Sequence, residues 1–140
     1  MAKKVFVSFD YENDKHYKFL LQAWNENNKF EFTFADHSSQ EVASDDIARV
    51  KAALSRKISS ADVTLVIVGK EANKKHSDSE KICFKNWINF EVAKSIELEK
   101  SLVAVKLKSE HESPEELLGS GASWAMSFTE ENIMNALSRA

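Results

Sequence analysis

Cysteine, proline and glycine are scarce in this chain of 140 residues, which holds one, one and three of them. A lone Cys83 can form no internal disulfide and cannot build a thiolate metal cage, so the chain is not stapled like a small secreted domain, and a reducing compartment is expected. The scarcity of proline and glycine also excludes collagen-like and low-complexity classes. No apolar run approaches the ~20 residues that a membrane span needs. Val5-Phe6-Val7 near the N-terminus lacks both the length of a signal-peptide core and a small-residue cleavage site, so the expected location is the cytoplasm, with no membrane partner. An excess of positive charge is missing too. Lysine and arginine number 19 against 22 acids, for a net charge of −3. With a sequence pI of about 5.8 and lysines interspersed among acids, no nucleic-acid surface is expected.

What remains is an ordinary globular composition, 43% hydrophobic and 29% charged, sufficient for one compact domain over residues 1–140. Strand and helix signals alternate throughout, with no linker between them. Lys4 to Phe9 is a short apolar run, followed by Tyr17, Leu20, Leu21 and Trp24 at helical spacing, with Asn13 or Asp14 as the expected cap. Phe30, Phe32 and Phe34 alternate with Glu31 and Thr33, as in an edge strand covered mainly on one face. Asp45-Asp46 opens a helix with Ile47, Val50, Leu54 and Ile58 on one stripe. Val63 to Gly69 is almost wholly apolar, which suits a central parallel strand.

Lys70 to Lys81 is polar and without periodicity, and reads as a long surface loop. A helix is expected from Cys83 to Glu99, burying Phe84, Ile88, Val92 and Ile96, and then a strand from Leu102 to Lys108. Ser113 to Glu116 resembles a helix start, Gly119 to Gly121 a break, and Trp124 to Phe128 a short fifth strand. Thr129 caps a closing helix carrying Ile133, Ala136 and Leu137. Five strands alternating with helices imply a three-layer α/β fold, a mostly parallel sheet with helices on both faces and flavodoxin-like order 2-1-3-4-5. Ligands in such sheets lie outside the carboxyl ends of the strands, where the order reverses.

The loops at that position exclude the familiar nucleotide sites. Phe9-Asp10-Tyr11-Glu12-Asn13-Asp14 has no glycine to wrap a phosphate and has carboxylates that would repel one. A phospho-receiver reading fails at Gly69, where the phosphorylatable aspartate would stand. His16, His37, His76 and His111 are dispersed without ligand spacing, so no metal is expected. Cys83 has no CxxC partner and reads as a buried or semi-buried small hydrophobe.

More informative is the helix around Trp87-Ile88-Asn89-Phe90-Glu91, where Cys83, Trp87 and Glu91 fall four apart on one stripe. An indole beside a carboxylate suits cleavage of an N-glycosidic bond. The ring is a flat apolar wall, and the carboxylate binds ribose hydroxyls and stabilises positive charge at the anomeric carbon. Spacing alone favours the plainer alternative, a Trp87 that packs the rim of the core and a Glu91 that is solvated or paired with a lysine.

Phe6 to Asp14 with His16-Tyr17, Val66 to Lys70 and Trp87 to Glu91 together resemble the TIR-like ThsB family of bacterial Thoeris anti-phage defence, from the first strand to at least Lys108. The resemblance implies a flavodoxin-like TIR domain that consumes NAD, as substrate rather than cofactor. It further implies release of nicotinamide and an ADP-ribose-derived signal, a cyclic ADP-ribose isomer or an amino-acid conjugate, read by a separate ThsA-like or membrane effector. It aligns Glu91 with the catalytic glutamate of TIR NADases and Trp87 with its aromatic partner. Phe6, Phe9 and Asp10 become candidate contacts on the nicotinamide side. Asp36, His37 and Ser38 fall in the loop after the second strand, which in TIR domains gates the site and mediates self-association. The long charged loop 70–81 departs from a minimal TIR domain. Competing readings are a non-catalytic TIR interaction module, another N-ribosyl enzyme such as a nucleoside deoxyribosyltransferase, and a degenerate receiver.

Overall fold

The computed structural model describes residues 3–24, 30–34 and 44–140, apart from the side chains of Tyr11, Glu12, Ser44 and Asp45. The strands are β1 (Lys3–Ser8), β2 (Phe30–Phe34), β3 (Val63–Val68), β4 (Ser101–Lys106) and β5 (Ser123–Ala125). Between and after them run α1 (Tyr11–Ala23), α2 (Ser44–Ser60), α3 (Ser79–Ile82), α4 (Trp87–Glu97), a 3-10 turn (Glu115–Leu117) and α5 (Glu130–Arg139). All four strand pairings are parallel and the order is β2-β1-β3-β4-β5, as the alternation of elements predicts.

Alternation along β1 divides the core. Val5, Val7 and Phe9 join Leu65, Ile67, Val103 and Val105 on the face packed against Leu21 of α1 and Ile133, Ala136 and Leu137 of α5. Phe6 points the other way, to Ile47, Leu54 and Ile58 of α2 and Trp87 and Phe90 of α4. Farther along that second face, Val66, Val68 and Ala104 receive Ile88 and Val92 of α4. Burial of apolar surface on both sides of β3 accounts for its unbroken apolar sequence. The three phenylalanines of β2 are half-buried against the α1 face, as an edge strand with one covered side requires.

The segment between β3 and β4 departs from expectation. The anticipated helix from Cys83 to Glu99 is two pieces, because Cys83 takes a left-handed conformation (φ 69°) and ends α3, while Asn86 caps a new helix starting at Trp87. Cys83 is therefore exposed rather than semi-buried, and it does not share a helical stripe with Trp87 and Glu91. Ile96, expected in the buried stripe, is 44% exposed, and in that last turn of α4 it is Ser95 that is buried. Phe84 is half-buried on the α2 cluster.

Residues 70–81 are not a simple surface loop either. Ala72, Asn73 and Asp78 are buried, and asparagines tie the segment to α4. Asn86 Nδ2 donates to the carbonyls of Ala72 and Lys74, both at 2.9 Å, while its Oδ1 accepts the Asn89 N–H at 2.9 Å. Asn89 Nδ2 donates to Asn86 Oδ1 and Asn73 Oδ1, and its Oδ1 accepts the Glu116 N–H at 3.0 Å. These side chains replace water for backbone groups that burial would otherwise leave unsatisfied.

Gly69, where a receiver would carry its aspartate, has no room for any side chain. A Cβ there would lie 2.0 Å from Asp14 Oδ2 and 2.6 Å from its Cγ. Asp14 is itself only 6% exposed, so its carboxylate cannot swing clear at low cost. Gly69→Ala is expected to destabilise the protein by about 1–3 kcal/mol through overpacking, and Asp14→Ala in the same chain to recover most of the loss. Denaturant melts of both variants check this. Equal losses with and without Asp14 would show that the contact is not the cause.

Candidate active site

The carboxyl end of β1 turns directly into α1, and the strand and helix boundaries decide which predicted residues meet. Ser8, the last residue of β1, points to the α2/α4 face together with Phe6. There it meets Glu91, on the second turn of α4, where Ser8 Oγ donates to Glu91 Oε1 across 2.5 Å. Glu91 is fully buried (0% exposed). The reading of this residue as a solvated surface glutamate is thereby corrected: its position on α4 turns it onto the sheet.

Burial raises the Glu91 carboxyl to about 8, because a carboxylate away from water loses its hydration. Two features oppose that rise: the Ser8 hydroxyl and the positive charge of Lys57 on α2. Lys57 is tethered toward the end of β2, where Nζ donates to the Phe34 carbonyl at 3.2 Å. At neutral pH Glu91 is mostly protonated, and a cation entering beside it would favour its ionised form.

Trp87, one turn before Glu91, is 5% exposed and packs edge-on to Phe90, with ring centroids 5.8 Å apart. Phe6 lies in the same cluster. Phe6, Trp87 and Glu91 thus share the α2/α4 side of the sheet. Phe9 lies on the other face, in the α1/α5 core, with its ring edge-on to Phe34 at 6.3 Å. Asp10 precedes α1; its backbone carbonyl accepts the Asp14 N–H at 2.8 Å and its Oδ2 accepts from Asn13 Nδ2 at 2.7 Å. Asn13 and Asp14, the expected caps, therefore lie within the first turn of α1. Asp36 and His37, with Ser38, lie outside the described residues.

A second acidic group sits beyond the carboxyl ends of β1 and β3. Asn13 Nδ2 also donates to Glu71 Oε2 at 2.6 Å, and burial, together with the neighbouring charges of Asp10 and Glu71, raises Asp14 to about 6. His16 and His111 act in the opposite direction. Among the described residues no group of three histidine, cysteine, aspartate or glutamate side chains could hold a metal ion. No helix among them is long and apolar enough to cross a membrane.

Sequence reasoning missed Ser8 and Lys57. The alternation that puts Phe6 inside also puts Ser8 on its face, so that signal was present. Lys57 carried none, because its approach to Glu91 depends on how α2 lies beside α4.

Among solved structures the fold resembles a 2-deoxyribosyltransferase from Bacillus psychrosaccharolyticus, with a TM-score of 0.53 and 17% identity over 79% of this chain and 77% of that one. A 2-deoxyribosyltransferase from Leishmania mexicana aligns with a TM-score of 0.53 and 12% identity, over 76% of this chain and 65% of that one. The β-glucosidase EmGH1 from Erythrobacter marinus aligns at 0.50 with 15% identity, over 84% of this chain but 21% of that enzyme. At such identities the likeness is one of fold. No curated protein matches the chain. The family model described as the Thoeris protein ThsB, TIR-like domain, matches residues 6–112, most of the chain. This five-stranded α/β protein, with its glutamate buried at the end of the first strand, belongs to the ThsB TIR-like family.

Proposed function

We propose that the protein is an NAD-consuming enzyme of Thoeris anti-phage defence, which cleaves the bond between nicotinamide and ribose and makes an ADP-ribose-derived signal for a separate ThsA-like or membrane effector. The observation that carries this reading is Glu91, fully buried on α4 and bonded to Ser8 at the carboxyl end of β1. Open parallel sheets bind ligands at that edge. A carboxylate held there binds ribose hydroxyls and stabilises the oxocarbenium-like centre left as nicotinamide departs. The nicotinamide ring of NAD is cationic, so its arrival favours ionisation of a glutamate that rests mostly protonated.

Trp87 and Phe6 belong to the apolar cluster on the glutamate's side of the sheet, and Asp10 lies two residues beyond Ser8, after the carboxyl end of β1. Because Glu91 is fully buried, turnover requires an opening step that uncovers it, and self-association on activation is a means of driving one. If water is excluded from the opened site, an acceptor within the same molecule gives a cyclic ADP-ribose isomer and a bound amino acid gives a conjugate. Admission of water gives ADP-ribose.

The test is mass spectrometry of small molecules from phage-infected cells, and from purified protein given NAD, with the parent and Glu91→Gln at matched levels. Nicotinamide and a new ADP-ribosyl species from the parent alone support the proposal. Identical profiles from both would overturn catalysis by Glu91 and favour a TIR interaction module. A second reading, transfer of a ribosyl group between nucleosides, draws on the fold likeness to two 2-deoxyribosyltransferases. Nucleosides assayed beside NAD separate the two.

A further inference from the structure

Where β1 and β3 pass beneath α4, hydroxyls stand among the apolar side chains that fill the rest of the interface. Ser8, Thr64 and Ser95 are all fully buried. Ser95 and Thr64 serve the backbone of the helix: Ser95 Oγ donates to the Glu91 carbonyl at 2.7 Å and lies 2.7 Å from Thr64 Oγ1. Ser8 addresses the carboxyl group itself, through its bond to Oε1. An alanine in its place would pack equally well against α2 and α4, so packing gives no reason for a hydroxyl at this position.

We propose that Ser8 is a positioning residue: its hydroxyl holds the carboxylate of Glu91 in the orientation and ionisation that ribosyl transfer uses. This role rests on the NAD-cleaving reading above. A hydroxyl donor stabilises a carboxylate more than a carboxylic acid, so Ser8 keeps part of Glu91 available as an anion in a site that otherwise favours the neutral form. Its geometry also restricts rotation of the carboxyl group about its terminal torsion, which is broad when nothing constrains it. Being the last residue of β1, Ser8 is fixed by the ladder to β3, where it stands opposite Val66. The orientation it imposes is therefore that of the sheet.

Among the described residues, other groups lie on the elements packed around α4. From α2 comes Lys57, whose charge acts in the same direction as Ser8. β1 and β3 bring Phe6, Thr64 and Val66 to the same face of the sheet as Ser8, and none of these titrates. The 3-10 turn packed on α4 brings Glu115 and Glu116 to the side of Asn89, with Glu115 3.8 Å from Lys85. On α4 itself Lys94 pairs with Glu97.

Ser8→Ala, Ser8→Thr and Ser95→Ala test the proposal with two readouts. The first is the carboxyl carbon resonance of Glu91 in glutamate-labelled protein, titrated without substrate and identified by its loss in Glu91→Gln. The second is nicotinamide release against pH. Ser8→Ala is expected to move the titration midpoint up by roughly one pH unit and to lower kcat at pH 7 about ten-fold, with KM changed less than about two-fold. Activity should recover toward the parent as pH rises past the new midpoint. Ser8→Thr, which keeps the hydroxyl, should hold the parent midpoint.

Ser95→Ala loses a buried hydroxyl from the same interface and should lower stability without moving the midpoint. An unmoved midpoint in Ser8→Ala, or an equal movement in Ser95→Ala, overturns the role of Ser8. If the parent releases no nicotinamide, the NAD-cleaving reading fails by itself, while the resonance midpoint still decides whether Ser8 controls Glu91.

Discussion

Glu91→Gln is expected to cut nicotinamide release by at least ~10²-fold and, above neutral pH, to yield a more stable protein than the parent. The two effects have one origin. In the folded parent the Glu91 carboxyl titrates at about 8, against 4.5 for the free side chain. Between those values the unfolded chain has released its proton while the folded chain keeps it. The unfolded state therefore binds fewer protons, and stability falls as pH rises through this window. The accumulated loss is on the order of several kcal/mol by pH 8 and grows no further once both states are ionised.

Glutamine has no proton to lose, so the slope disappears, while its carbonyl oxygen still accepts from Ser8 Oγ. Asp14, raised from 3.8 to about 6, adds a slope of the same sign in its own lower window. That contribution is common to both proteins and cancels in the comparison. Denaturant unfolding of each at pH 5, 7 and 9 measures the difference. Curves that stay parallel across this range would mean that Glu91 is not a buried neutral acid in the folded protein, and the account of the site would fall with it.

Asn86→Ala is expected to destabilise the protein by about 3 kcal/mol or more, lowering Tm by on the order of 10 °C. Three losses combine. The cap on α4 disappears, which by itself is worth ~1 kcal/mol. The buried carbonyl of Ala72 and the part-buried carbonyl of Lys74 lose their donor. Asn89 Nδ2 keeps Asn73 as a partner and loses Asn86 Oδ1. Asn86→Ser separates the contributions, because serine retains an acceptor for the Asn89 N–H cap and lacks the amide donors; it should fall between the parent and Asn86→Ala. The same cap sets where α4 begins, so Glu91 lies downstream of it, and hydrogen exchange across 86–92 should quicken in Asn86→Ala. Unchanged exchange there, with Tm within a degree or two of the parent, would rule out the asparagine network as what holds α4.

The architecture was legible because its signals are local. The apolar run of β3, the alternating phenylalanines of β2 and the four-residue stripe of α2 each state a period and a degree of burial, and strand order follows from handed crossovers. The segment between β3 and β4 was less legible. Its polar letters read as solvent-exposed, yet Asn73, Asn86 and Asn89 are buried. A polar residue satisfied by buried backbone is indistinguishable in sequence from one satisfied by water. The break at Cys83 was hidden for a related reason, since a non-glycine residue at φ 69° gives no compositional warning.

The sequence by itself determined the class of fold, the order of its strands and the family to which the chain belongs, because periodicity and a few clustered motifs carry that information. It also singled out Glu91. Only the tertiary structure decided what kind of group Glu91 is. Whether a glutamate is a solvated anion or a buried acid depends on what packs around it, and here that means a serine from β1, a lysine from α2 and the close approach of α4 to the sheet. Those partners are distant along the chain; the approach of α4 to the sheet takes the carboxyl out of water, the serine and lysine oppose the resulting rise, and desolvation is a property of the assembled core rather than of any segment within it.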